Sequence, residues 1–356
     1  MEQIEGKRMT DLQPIITHTE AMLKSLGRTD ARQTVKNALK RMAGRHVPAH
    51  DPIFWPAGML LLGLLEAGES LPYLDAWMNA GCRVMHVDDA LTGYVLVRLY
   101  AQTRDEKYLN AAGRICAFLL SAKKDEERSI IYHPEIGEKN RLIYADGAGM
   151  TSLFLAAYAR ETQDTDAFAL ALTQVMNFLH HGLDDRTGLP YHAYYLATKE
   201  KLGIVGWGRA VGWLLMGMSE IIQMLPTGFL PPETYQSYDL YLSQEELQQS
   251  WTRLTENVMS YLRPDGSFSW QLPALDGHGD TSTTAMIGWA LAGEPAKGTG
   301  TMAGSIRDYL TSCTRDGIVG SALGECVDYG QYPQTFGNYP WGQGAALAFL
   351  AREANP

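Results

Sequence analysis

The 356-residue sequence predicts an all-α protein, an (α/α)6 barrel of six helical hairpins. Three observations carry that reading. Apolar residues recur with a helical period along nearly the whole chain, and no convincing run alternates as a strand would. The helices so marked come in two compositions, which take turns along the chain. After the first interval, the starts of one kind fall roughly 60 residues apart, the size of one helical-hairpin repeat.

Taken in order, the first predicted helix is "ARQTVKNALKRMAG", followed by the apolar "FWPAGMLLLGLLEAG" and then "LPYLDAWMNAG". Next come "DALTGYVLVRLYAQT", "DEKYLNAAGRICAFLLSA", "GAGMTSLFLAAYARET" and "DTDAFALALTQVMNFLHH". The remainder are "GRAVGWLLMGMSEIIQML", "SQEELQQSWTRLTENVMSYL", "TSTTAMIGWALAGE", "TMAGSIRDYLTSCT" and "WGQGAALAFLARE". Helices such as "DEKYLNAAGRICAFLL" are charged along one face and belong outside, half wetted. The other kind is rich in Gly, Ala, Ser, Thr and Met and nearly uncharged, so it belongs inside. Inner helices start near Trp55, Asp88, Asp146, Trp207, Thr281 and Trp341. The first helix would pack outside the last inner one and close the ring. No linker-like run splits the pattern, so the expectation is one domain over residues 1–356, with residues 1–28 a peripheral N-terminal segment.

Composition narrows the function classes. The chain is 46% hydrophobic and 20% charged, enough for a large core. A net charge of -10 argues against nucleic-acid or anionic-membrane partners, which need clustered Lys and Arg. "MEQIEGKRMTDL" lacks the apolar stretch of a secretory signal, and "AGMLLLGLLEAG" is too short to span a bilayer. Cys82, Cys116, Cys313 and Cys326 are scattered, which indicates neither a zinc site nor a disulfide framework. The expectation is a cytoplasmic protein with no metal and no cofactor.

A ring of parallel inner helices brings their N-termini to one end. There it would gather "HDPIFWPAG", "HVDDALTG", "YADGAGM", "GWGRAVGW", "GDTSTTAM" and "NYPWGQGAA", a bowl of tryptophans, acids, hydroxyls and one arginine. Arg209 and Trp213, four residues apart, share a helix face. In a concave pocket the indole can stack on a sugar and the guanidinium can grip a carboxylate with both arms. Each residue alone has a plainer role. Asp88 and Asp146 stand where helix N-caps stand, as do Asp51 and Asp280. Trp207 and Trp213 would serve as core, and Arg209 as half of an ion pair. His133 and His192 lie on loops, while the adjacent His180 and His181 should diverge from their helix into solvent. What points to a site is that such groups recur at equivalent positions of the repeat.

In chain order, "ADGAGMTSLFLAAYARET", "TGLPYHAYY", "GWGRAVGW", "DTSTTAM" and "PWGQGAALAFL" resemble the unsaturated rhamnogalacturonyl hydrolases of glycoside hydrolase family 105. The related unsaturated glucuronyl hydrolases share that fold. The resemblance runs from about Trp55 to the C-terminus. It implies removal of a terminal 4,5-unsaturated uronic acid from lyase-cut oligosaccharides, without metal or cofactor. Asp146 matches the general acid that then acts as base toward water, and Asp88, in preference to Asp89, matches the second aspartate. His133, His192, Trp207, Arg209 and Trp213 match substrate-pocket positions. Tyr144 stands where the family often has tryptophan, and Ala210 and Val211 where it often has Gly-Asn. The rival readings are an inverting glycosidase recruiting Glu325, an epimerase using His133 and His192, and a non-catalytic carbohydrate-binding protein.

Overall fold

The computed structural model describes residues 2–26, 51–134, 137, 141–224, 244–292 and 299–354. Six of its helices form an inner ring: α2 (Trp55–Glu66), α4 (Ala90–Thr103), α6 (Ala145–Thr162), α8 (Gly208–Met224), α10 (Thr281–Ala292) and α12 (Pro340–Ala354). Each packs on the next, and α12 packs back on α2, so the ring closes. The small residues of the inner helices make this possible. A Cβ on Gly149 would stand 2.3 Å from the Trp213 carbonyl oxygen, and one on Gly344 would stand 2.3 Å from that of Met59. Only glycine lets the α6–α8 and α12–α2 backbones approach that closely.

The outer helices are α1 (Glu2–Leu26), α3 (Tyr73–Asn79), α5 (Glu106–Ser121), α7 (Thr165–His181), α9 (Gln244–Met259) and α11 (Thr299–Ser312). Except for α7, whose residues 167–178 are all buried, they bury one stripe each. On α5 this is Ala111, Ala112, Ile115, Cys116 and Leu119, at the spacing of a single helix face. Asp105 and Asp164 cap α5 and α7 by accepting from the backbone N–H of Lys107 and Ala167. The expected all-α barrel of six hairpins is therefore the fold. Among the described residues, no helix is long and apolar enough to cross a membrane.

Two expectations need correction. Residues Glu2–Leu26 are not peripheral: α1 packs on α12 and α2, and its Leu12, Ile15, Ile16 and Leu23 are buried. The last inner helix has an apolar outer face that must be covered, and this stripe covers it. "ARQTVKNALKRMAG", expected in that role, lies outside the described residues. Short strands also exist. β1 (Leu142–Tyr144), β2 (Ala193–Tyr195) and β3 (Lys201–Leu202) form an antiparallel sheet with Tyr144 opposite Ala193. β4 (Thr314–Arg315) pairs with β5 (Ile318–Val319), and β6 (Ala322–Leu323) with β7 (Phe336–Gly337). Segments this brief are too short to show an alternating pattern.

The C-terminal end of the ring is closed by charge. Glu220 of α8 accepts from the Tyr94 hydroxyl of α4 at 2.8 Å and from Arg160 of α6 at 2.6 Å. Arg98 donates to Tyr94 Oη at 2.8 Å and lies 3.6 Å from Glu66 of α2. Trp289 Nε1 of α10 donates to Glu66, and Arg352 of α12 donates to the Trp289 carbonyl. All six inner helices take part. Arg160 and Arg352 also sit in the last turns of their helices, where positive charge is favoured.

Candidate active site

The opposite end is a cavity of about 350 Å³. All eight residues expected at a site line it: Asp88, His133, Tyr144, Asp146, His192, Trp207, Arg209 and Trp213. A second hollow of about 530 Å³, between α1, α11 and α12, receives none of them.

The two aspartates reach the cavity from helix starts, but neither is a helix cap. Asp146 is the second residue of α6, whose N-cap is Tyr144. Asp88 lies in a single 3-10 turn, Val87–Asp89, that leads into α4. Asp89 instead turns away from the cavity to accept from the backbone N–H of Met85 at 2.8 Å and of His86 at 3.1 Å. That separates the pair: the neighbour serves the turn and Asp88 faces the site. Asp280 does cap α10, accepting from Ser282 N at 2.9 Å and from the Ser282 and Thr283 hydroxyls at 2.7 Å. Those hydroxyls, expected in the bowl, are used by the cap. Asp51 accepts from Ile53 N at 3.1 Å, one turn ahead of α2, where Phe54 is the N-cap.

Asp88 and Asp146 each keep an oxygen that is buried without a hydrogen-bond partner, Oδ1 and Oδ2 respectively. Such atoms are costly unless function uses them. Burial pushes the Asp88 carboxyl above the ordinary carboxylate range; His86 beside it pulls down, and the Asp146 charge pushes up again. His86 Nδ1 is 3.3 Å from Asp88 Oδ2. Burial opposes the His86 imidazolium, but Asp88, Asp89 and Asp51 outweigh it and raise its pKa. On the other side His192 Nε2 stands 3.1 Å from Asp146 Oδ2, and His192 Nδ1 lies 2.8 Å from the Tyr332 hydroxyl. The 3.1 Å approach is a close contact rather than an aligned hydrogen bond, as the unpartnered Oδ2 shows.

Arg209 differs from its expected role. It lines the cavity, yet its Nη1 donates to the Leu323 carbonyl at 2.8 Å and its Nη2 to the Gly324 carbonyl at 3.0 Å. The guanidinium lies over the rings of Trp207, at 4.7 Å, and Trp341, at 5.2 Å. A buried cation must be satisfied by something, and the main chain before Glu325 does this. The two arms expected to grip a ligand carboxylate therefore hold the 323–324 backbone, leaving the remaining N–H groups for a ligand. Trp213 meets Trp55 edge-on at 6.2 Å, and Trp55 lies tilted against Trp341 at 5.1 Å, so the aromatic wall runs from α8 through α2 to α12.

The sequence reading missed His86, Tyr132, Met150, Cys326 and Asp328, all of which line the cavity. His86 carried a signal, two residues before Asp88 in "HVDDALTG". Tyr132, Cys326 and Asp328 come from loops and carried none. Tyr144 donates to Asp328 Oδ1 at 2.5 Å, which ties the 320s loop to β1. Away from the site, His181 is not in open solvent: it is half-buried and 3.0 Å from Glu127 Oε2. Its ring lies 4.5 Å from that of the exposed His180 rather than diverging from it. Among the described residues no His/Cys/Asp/Glu group could hold a metal ion.

A closed helical ring with two carboxyls, an imidazole against each of them and a wall of indoles at its open end fits a sugar-processing enzyme. Comparison with known proteins agrees. Residues 32–353 match Glycosyl Hydrolase Family 88. The chain belongs to that family and is a glycoside hydrolase. It is 24% identical over 319 residues to the unsaturated rhamnogalacturonyl hydrolase YesR of Bacillus subtilis (strain 168), covering 83% of this chain and 88% of that one. Its fold matches that of a possible GH105 family member from Klebsiella pneumoniae subsp. pneumoniae MGH 78578, with TM-score 0.74, 16% identity and coverage of 97% and 93% of the two chains. It also matches the unsaturated glucuronyl hydrolase of Bacillus sp. GL1, responsible for the degradation of glycosaminoglycan, with TM-score 0.63, 14% identity and coverage of 86% and 88%.

Proposed function

We propose that the protein releases a terminal 4,5-unsaturated uronic acid from lyase-generated oligosaccharides by hydrating the enol-ether double bond. One observation carries this best: a carboxyl in contact with an imidazole, Asp146 with His192, shares a small cavity with a second, buried carboxyl, Asp88. In this reading Asp146 gives its proton to C4, and positive charge develops at C5 and the ring oxygen. Asp146, now a carboxylate, takes a proton from the water that adds at C5. The hemiketal then opens and releases the neighbouring sugar, so one water is consumed and Asp146 is regenerated. Indoles stack on the sugar rings, and His133, Tyr144, His192, Trp207, Arg209 and Trp213 contact the unsaturated uronate. The burial of Asp88 favours a second assignment, with Asp88 as the donor. An Asp88→Asn variant that turns over while Asp146→Asn does not would dismiss it.

The named activity of the Bacillus subtilis relative supports a rhamnogalacturonan fragment, and hence pectin degradation, as the source of substrate. The cytoplasm is the compartment we assign, in keeping with four free cysteines. The partner is a small oligosaccharide. The experiment is a panel of lyase-generated unsaturated disaccharides, followed by the loss of conjugated ultraviolet absorbance. Turnover of at least one supports the reading; a folded enzyme that turns over none of them, but hydrolyses saturated glycosides, ends it.

A further inference from the structure

Behind His192, outside the cavity wall, stands Tyr332. Its hydroxyl lies 2.8 Å from His192 Nδ1, while His192 Nε2 faces Asp146 Oδ2 at 3.1 Å. The buried His192 thus stands between the half-buried Tyr332 and the reacting carboxyl. Tyr332 is held firmly. Its ring packs edge-on to Trp207 at 5.5 Å and tilted to Trp270 at 6.2 Å. Space for it is made by Gly203, whose φ is +84°; a Cβ there would stand 2.6 Å from the Tyr332 hydroxyl and 2.8 Å from His192 Cβ. Burial keeps the phenol protonated far above neutral pH, so Tyr332 always has a proton to donate.

We propose that Tyr332 is a positioning residue that donates to His192 Nδ1 and so fixes the imidazole as the Nε2–H tautomer, with that N–H on the side of Asp146 Oδ2. The inference rests on the function proposed above. In a neutral imidazole one nitrogen donates and the other accepts. With Nδ1 accepting from Tyr332, the ring proton sits on Nε2, the nitrogen 3.1 Å from Asp146 Oδ2, and a small rotation of the carboxyl would align the two. Asp146 Oδ2 is sealed from solvent, so Oδ1 is the oxygen open to a substrate. A donor closing on Oδ2 leaves the transferable proton on Oδ1, where it can reach carbon. When Asp146 turns carboxylate after the transfer, the same Nε2–H is the donor beside it. Orienting an imidazole through its second nitrogen is a general device in catalytic dyads and metal sites.

The test has an arm that is independent of activity. In protein labelled with 15N-histidine, the His192 resonances, assigned by their loss in His192→Ala, should report Nε2–H at neutral pH; an Nδ1–H tautomer overturns the proposal. Tyr332→Phe keeps the packed ring and loses only the hydroxyl. It should lower kcat by about 10- to 100-fold, with KM within about threefold, because the loss falls on the proton-transferring group. In the double variant with His192→Ala, the Tyr332→Phe penalty should vanish, since Tyr332 acts only through His192. A Tyr332→Phe enzyme with near-native kcat, or a penalty that persists without His192, overturns the proposal. If instead the wild-type enzyme turns over no unsaturated disaccharide, the reading of the function fails, and the tautomer measurement still decides the role of Tyr332.

Discussion

The two ends of the helical ring use the same chemistry to opposite effect. At the C-terminal end Glu220, buried to 2% exposure, receives hydrogen bonds on both oxygens, from Tyr94 and Arg160, and Glu66 is surrounded by Trp289, Arg98 and Arg352. At the N-terminal end Asp88 and Asp146 each keep a buried oxygen with no hydrogen-bond partner, and Arg209, which lines the cavity, is held by backbone carbonyls. A fully satisfied network is rigid and inert. A partly satisfied one costs stability and can exchange a proton. The difference shows that buried charge marks an active end only where its bonding is left incomplete, and that the same six helices can carry both arrangements because their ends face opposite ways.

The sharpest way to break this contrast is Asp146→Asn. Asp146 makes no helix-capping bond, so the fold should persist. Turnover should fall by about two to four orders of magnitude, the usual range for a general acid–base. In deuterated water the native enzyme should place deuterium at C4 of the released sugar. Near-native turnover by the folded variant on a verified substrate would remove the active end from the comparison.

The converse experiment is Glu220→Ala. It strands Arg160 and Tyr94 at the closed end. Arg160 is 36% exposed, so water offsets part of the loss, and a destabilisation of about 2–3 kcal/mol is expected. Denaturant unfolding measures it, and the folded fraction should keep its kcat. A fall in kcat instead would show that the two ends are coupled.

Arg209→Lys sharpens the contrast at the open end. A lysine brings a single ammonium in place of the planar fork whose two arms hold the carbonyls of Leu323 and Gly324, and it loses the stacking between Trp207 and Trp341. A drop of about 5- to 30-fold in kcat/KM is expected, with substrates esterified at the uronate penalised less in the variant. Equal sensitivity to the ester in both enzymes would assign Arg209 wholly to the backbone.

The smallest expected effect concerns Asp89 behind the site. Burial, and the Asp51 carboxyl next to it, push Asp89 up to about 8 against two backbone N–H groups that pull it down. Its folded pKa lies above the unfolded value of about 4, so its favourable contribution is complete below about pH 4 and is lost as pH rises through 8. Asp89→Asn should therefore gain stability over the native protein as pH rises, by about 1–3 kcal/mol at alkaline pH. Unfolding curves at pH 5 and pH 9 measure it; a gain that does not grow with pH would show that Asp89 is not protonated in the fold.

Much of this was legible in the residues. Eleven of the helices marked by period and composition correspond to α2 through α12, because a stripe of apolar residues at helical spacing can bury itself in one way only. Ring closure also followed from the sequence, since six nearly uncharged helices need one another for cover. Asp88, Asp146, Trp207 and Arg209 could be placed together because helices of one polarity bring their first turns to one rim, whereas His133, Tyr144 and His192 came from the family resemblance. His86 could have been read from its place before Asp88. The loop residues Tyr132, Asp328 and Tyr332 could not, because no periodicity fixes where a loop side chain lands.

What the sequence determined by itself was thus local and periodic: which segments are helical, which face is buried, and which ends carry the polar groups. The tertiary structure alone decided that α1 covers the last hairpin, that Asp88 faces the cavity while Asp89 serves a turn, and that the arms of Arg209 are held by carbonyls over 110 residues away in the chain. It also placed Tyr332, 140 residues from His192, against the imidazole beside Asp146. The physical reason is that a helix dictates its own face through bonds four residues apart, whereas the partner of a buried polar group is whichever atom the closed ring brings within 3 Å.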